Sequence, residues 1–268
     1  MVATGITARP TILVADGPEA TGRLAADLLV AWLAGAIGER GVAHVALTGG
    51  SSAKGLYAAL REPSRAFALD WGRVHAWVGD DRFVPLVHPD SNGGLASREL
   101  AADGAGLLPT ANLHLVPVEA AMYAGTGPDG AAATYATEVL STVPSSSGVP
   151  IFDVVLLGIG GDGHLLSVFP GSAALAPDAP LVLGIPAPTH ITPHLPRVTF
   201  SPAILRLAGH VMPIVAGAGK AEILGRILGS ERDPEQWPAQ LAVRPNATWV
   251  MDPAAAAGVP PARSDGRP

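Results

Sequence analysis

Four short stretches of this chain gather the residue types that do chemistry on small anions: TGGSS (48–52), GDDR (79–82), GIGGDGH (158–164) and GAGK (217–220). In the third, Asp162 precedes His164 by two residues on a glycine turn, a spacing that lets a carboxylate hold an imidazole in one tautomer. A histidine held this way takes up and releases a proton near neutral pH, as a general base must. In the first stretch, Gly49 and Gly50 let the backbone approach an anion, and Thr48, Ser51 and Ser52 offer hydroxyls. A helix starting there aims its free N–H groups at the same point. Arg82 is suited to grip a phosphate or polarise a carbonyl, with Asp80 or Asp81 beside it to orient it. Lys220 opens a helix pattern, where a cation opposes the helix dipole unless an anion lies nearby. Arg197, in PRVTF, says nothing by its position alone.

GIGGDG also matches the G-x-G-x-x-G spacing of dinucleotide-binding loops through Gly158, Gly160 and Gly163. That use requires a long helix after the loop and an acid about twenty residues further on. Here Pro170 ends any helix after little more than a turn, and Asp178, the one acid in the neighbourhood, sits in a Pro-flanked loop. TGGSS lacks the Walker A spacing. The expectation is a catalytic turn and no nucleotide cofactor.

The elements that must position these stretches follow from hydrophobic patterning. Strands are expected at TILVA (11–15), HVALT (44–48), VHAWVG (74–79), NLHLV (112–116), FDVVLLG (152–158), HVMPIVAG (210–217) and ATWVMD (247–252). Pro213 demotes the sixth to an edge or a bulge. Helices are expected around 18–38, after TGGSS, at 95–102, at 130–142 and after GAGK. This alternation predicts an α/β fold: an open, mainly parallel, doubly wound, Rossmann-like sheet with helices on both faces. Ligands in such sheets bind beyond the carboxyl ends of the strands, so the four stretches are read as turns on one rim. FVPLVHPDSNGG after Arg82 is expected to form a long loop bringing His88, Asp90, Ser91 and Asn92 toward the cleft.

The composition, 48% apolar and 15% charged, suits one globular domain over 1–252, with the small, proline-rich stretch 253–268 as a flexible tail. A net charge of −6 gives no basic footprint for nucleic acid or anionic lipid. With no cysteine, thiolate catalysis and cysteine-based metal sites are excluded. The N-terminal segment lacks a signal-peptide pattern, and the apolar stretch 28–38 is too short to span a bilayer, so a cytoplasmic location is expected.

In order and context these stretches resemble the 6-phosphogluconolactonase family, part of a group that includes glucosamine-6-phosphate deaminases. The resemblance lies in GGSSAKGLYAAL, GDDRFVPLVHPDSN, LGIGGDGHLLSVFPGS, RVTFSPAIL, GAGKAEIL and WPAQL…WVMD, and runs from about residue 12 to 256. Two departures stand out: Asp81 replaces the family's usual glutamate, and Ser52-Ala53 replaces a frequent Thr-Pro. The deaminases normally read FNEPG where this chain has SVFPG, and tyrosine where it has Arg82, which favours the lactonase branch. The resemblance implies hydrolysis of 6-phospho-D-glucono-1,5-lactone to 6-phosphogluconate in the oxidative pentose phosphate pathway. It implies His164, Asp162 and Arg82 as catalytic residues. Thr48, Gly49, Gly50, Ser51, Asp80, Arg197 and Lys220 would bind the sugar phosphate, with no metal or cofactor. Which cations touch the phosphate stays open, as does the oligomeric state, for which a monomer is one option. Two alternatives accompany this reading: a deaminase-type sugar-phosphate enzyme, and a non-catalytic sugar-phosphate sensor.

Overall fold

Runs such as VVLL (154–157), apolar without alternation and rich in β-branched residues, suit strands covered on both faces. The computed structural model, which describes residues 9–101 and 106–260, places them so. In chain order the strands are β1 (Thr11–Val14), β2 (Ala43–Leu47), β3 (Val74–Val78), β4 (Asp80–Arg82), β5 (Leu113–His114) and β6 (Ser145–Ser146). They continue with β7 (Val149–Pro150), β8 (Val154–Leu157), β9 (Val182–Ile185), β10 (Arg197–Phe200), β11 (His210–Val215) and β12 (Thr248–Met251). The helices are α1 (Pro18–Arg40), α2 (Gly50–Leu60), α3 (Pro63–Ala66), α4 (Asn92–Leu100), α5 (Val118–Ala124), α6 (Gly127–Thr142), α7 (Ala221–Gly229) and α8 (Pro253–Ala256).

Seven strands form one sheet in the order β1-β12-β11-β8-β2-β3-β5, with every neighbouring pair parallel. Successive strand residues feed opposite cores. Val154, Leu156, Met212, Ile214 and Val250 join α1, α2 and α4 on one face. Val155, Leu157, Val211, Trp249 and Met251 join α6 and α7 on the other. By length and composition α1 could cross a membrane. Its Ala25, Ala26, Leu29 and Leu33 are instead buried in the first core.

The structure departs from the sequence expectations in three places. β11 is not an edge strand: it lies between β8 and β12. The Val211 N–H points to the β12 side, bonding Asn246 C=O, so the residue two further on faces the same way. Pro213, with no N–H to give, falls where the β12 pairing is interrupted between Val211 and Ile214, and costs the ladder little. Second, GDDR is a strand and not a turn. β4 pairs antiparallel with β10, which pairs antiparallel with β9, in a small sheet beside the main one. Third, residues 253–260 are not a flexible tail. Asp252 caps α8 through the Ala255 N–H, Ala255 is fully buried, and Val259 packs against the core; 261–268 lie outside the described residues.

From β8 the chain runs through β11 and β12 to one side, and from β2 through β3 and β5 to the other. The order therefore reverses between the adjacent strands β2 and β8. Such a switch point leaves a crevice at the carboxyl ends of the strands. The turns that follow β2 and β8 are TGGSS and GIGGDGH.

Candidate active site

After β8 the backbone turns tightly, with Gly163 N–H donating to Gly160 C=O (3.1 Å) and Gly160 N–H to His164 C=O (2.9 Å). Gly163 takes a positive φ of +84°, which disfavours any residue with a side chain. At Gly160 the demand is space: a Cβ there would lie 2.0 Å from His164 Nδ1. The imidazole rests on that vacancy. Its Nδ1 bonds Asp162 Oδ1 at 2.5 Å, so Nε2 is the nitrogen left to face the cleft. Asp162 Oδ2 bonds a second imidazole, Nε2 of His190, at 3.0 Å. Burial alone would raise the Asp162 pKa, but the contacts from His164 and His190 outweigh it and hold the carboxylate well below the usual range. Phe169 packs against both rings, with centroids 4.8 Å from His164 and 5.6 Å from His190.

Across the cleft, the β4–β10 register sets Arg82 directly opposite Arg197. Arg82 Nη1 donates to Asp90 C=O (2.9 Å) and Asn92 Oδ1 (2.8 Å), and Arg197 Nη2 donates to Pro193 C=O (3.2 Å). The Nε of each is buried and has no partner among the described residues. Like charges facing each other across a ladder destabilise it unless something neutralises them. Burial lowers the Arg197 pKa, and the Arg82 charge pushes the same way against the Asp80 carboxylate.

The third wall is the start of α2. Gly49 holds the N-cap position without a side-chain cap, so the first N–H groups of an 11-residue helix open on the cleft. Thr48 Oγ1 accepts the Gly158 N–H (2.9 Å) and ties the two loops together. Lys220 reaches over from the segment before α7, with Nζ donating to Ile159 C=O (2.7 Å); burial lowers its pKa.

Together Thr48, Gly49, Gly50, Ser51, Asp80, Arg82, His164, Arg197 and Lys220 line one cleft of about 240 Å³, with Asp162 immediately behind His164. The two acids beside Arg82 do not bond its guanidinium. Asp80 is buried and accepts Ser167 Oγ (2.6 Å) and Asn92 Nδ2 (3.3 Å). Asp81 accepts the N–H groups of Arg82 (2.8 Å), Asn92 (2.6 Å) and Gly93 (2.9 Å), and Ser91 Oγ (3.1 Å). Its carboxylate therefore anchors the start of α4. Burial pushes it up to about 6, against those backbone donors.

A family model described as glucosamine-6-phosphate isomerases/6-phosphogluconolactonase matches residues 16–251. The chain belongs to this family. It is 37% identical over 220 residues to a 6-phosphogluconolactonase of a Synechocystis species, covering 81% of this chain and 85% of that protein. With a 6-phosphogluconolactonase of Streptomyces coelicolor the identity is 33% over 255 residues, covering 94% and 95%. The solved 6-phosphogluconolactonase of Trypanosoma brucei superposes with a TM-score of 0.79 at 28% identity, covering 92% of this chain and 97% of that one.

The loop after Arg82 contributes less side-chain chemistry than its composition promised. Only Asn92 of the four candidates lines the cleft. Asp90 acts through its carbonyl, Ser91 caps α4 through the Gly94 N–H, and His88 bonds the Asp90 N–H outside the cleft. Sequence reasoning missed His190, Ser167 and Phe169 as neighbours of the site. Ser167 and Phe169 stood inside the family's signature segment and were legible there. His190, in a Pro-rich stretch, had no local signal.

Proposed function

We propose that this chain hydrolyses 6-phospho-D-glucono-1,5-lactone to 6-phosphogluconate. One observation carries the reading: a carboxylate-held imidazole and a pair of facing arginines with unpartnered Nε atoms line a single cleft. The arginine pair suits a dianionic phosphate, which can accept from both forks and cancel their repulsion. The uncapped α2 N-terminus and Lys220 add to that field.

In this mechanism His164 Nε2 takes a proton from water while the water oxygen bonds to the lactone C1. The carbonyl oxygen becomes an oxyanion, which the cleft cations or the loop N–H groups after Gly158 receive. Collapse of the tetrahedral intermediate breaks the bond from C1 to the ring oxygen, and His164 returns its proton to that oxygen. Asp162 holds the imidazole tautomer and offsets its charge while the proton is on it. Asp80 seats Ser167 and Asn92, and Arg82 and Arg197 hold the substrate. A lactone is already activated, so these steps need neither metal nor cofactor. The reading includes a cytoplasmic setting for pentose phosphate metabolism.

The test is acid release from freshly generated lactone. The expected result is release far faster than spontaneous opening, and a rate equal to the spontaneous one overturns the proposal. Ammonia release from glucosamine 6-phosphate would then point to the deaminase, and ligand-induced stabilisation without turnover to a sensor.

A further inference from the structure

Asp162 is shared. Its Oδ1 serves His164 Nδ1 and its Oδ2 serves His190 Nε2, so one carboxylate bridges two imidazoles. The two differ in setting: the His164 side chain is 14% exposed, the His190 side chain 49%. His190 lies in the irregular segment 186–196 between β9 and β10, and the next residues, Ile191 and Thr192, line the cleft. Phe169 packs against both rings and also under the Arg197 guanidinium, 5.3 Å from its centroid. The segment thus docks onto the back of the dyad at one polar point.

We propose that His190 is a positioning residue: it orients the Asp162 carboxylate and withdraws part of its charge from His164. A carboxylate with one oxygen on each imidazole can rotate only by breaking one contact, so His190 fixes Oδ1 against Nδ1. A donor at Oδ2 also draws electron density from Oδ1, and a protonated His190 does so with a full charge 3.0 Å away. The other charges bearing on that carboxylate are Lys220 and Arg197. His194, on the same segment, is turned to Pro188 C=O (2.7 Å) and takes no part.

The inference rests on the lactonase reading for its effect on rate, but not for the coupling itself, and the experiment separates the two. Ring-nitrogen NMR of the full chain at a fixed pH follows the His164 tautomer in wild type, His190→Ala and His190→Gln. In His190→Ala the share of His164 with its proton held on Nδ1 falls, because the Asp162 carboxylate is free to turn. The plateau kcat falls roughly 3- to 10-fold, as for loss of one hydrogen bond, and KM holds. His190→Gln, which keeps a donor but cannot charge, restores the plateau kcat. An unchanged His164 tautomer in His190→Ala, or a Gln variant as slow as the Ala variant, overturns the proposal. A wild type inactive on the lactone whose His164 tautomer still answers to His190 would sink the lactonase reading and leave this one standing.

Discussion

Arg82 on β4 and Arg197 on β10 occupy directly opposed positions of an antiparallel ladder, each with a buried Nε that has no partner. Holding two guanidiniums together costs the free protein stability, and a phosphate between them returns it. Arg82→Gln and Arg197→Gln should each raise KM roughly 10- to 100-fold, the worth of one charge-assisted contact at about 1.5–3 kcal/mol. Inorganic phosphate should raise the Tm of wild type and do so far less in either variant. Equal stabilisation in all three would show that the pair does not hold the anion.

The base is tested at two positions. His164→Asn should lower kcat by about 10²- to 10⁴-fold with KM little changed. Gly160→Ala should act on the same step from the backbone, because its methyl group would occupy the place of His164 Nδ1. A kcat within a few-fold of wild type in His164→Asn would remove the imidazole from the mechanism.

Away from the cleft, His44 on β2 faces His75 on β3, with ring centroids 5.3 Å apart, and His75 Nδ1 lies 3.0 Å from His114 Nε2. Burial first, then the neighbouring His75 and His114 and the Arg40 charge, lower the His44 pKa to about 4. An unfolded histidine takes a proton near 6.5, so between about 6.5 and 4 the unfolded chain binds the extra proton. Stability from this group is complete above the upper value and lost as pH falls, by up to about 3 kcal/mol. Asp81, raised to about 6, works the opposite way, since the folded state holds its proton more firmly. Thermal melts at pH 7.5 and 5.0 should show a smaller acid loss in His44→Gln than in wild type. Identical losses would clear His44 of that role.

Asp81→Ala strips the acceptor from three backbone N–H groups and the Ser91 hydroxyl. We expect a loss of about 2–4 kcal/mol in urea unfolding, together with weaker substrate binding, because Asn92 holds Arg82. Asp81→Glu should cost about 1–3 kcal/mol, because the extra methylene moves the carboxylate against Gly93 and off its backbone donors. Stability equal to wild type in Asp81→Ala would show that α4 is anchored by other contacts.

Much of this was legible beforehand for a shared physical reason: the deciding contacts are local. The apolar run VVLL requires a strand covered on both faces, and GSSAKGLYAAL follows β2 as a helix that buries Leu56 and Tyr57. Asp162 and His164 meet because two residues on a turn cannot avoid each other. Pro213 was misjudged because a missing donor matters only on the side where a partner needs it, and pairing decides that. The stretch 253–260 looked like a tail because small residues carry little pattern. Ala255 is buried all the same, because Asp252 turns the chain back onto the core.

By itself, then, the sequence determined the alternation of strands and helices, the glycine turns at the strand ends and the dyad, all of which depend on spacing within a few residues. Only the tertiary structure decided that Arg82 faces Arg197, that Asp81 serves the start of α4 and not the Arg82 guanidinium, and that His190 joins Asp162. Those contacts join segments far apart in the chain. Strand register and loop docking bring them together, and no local pattern encodes which distant partner will arrive.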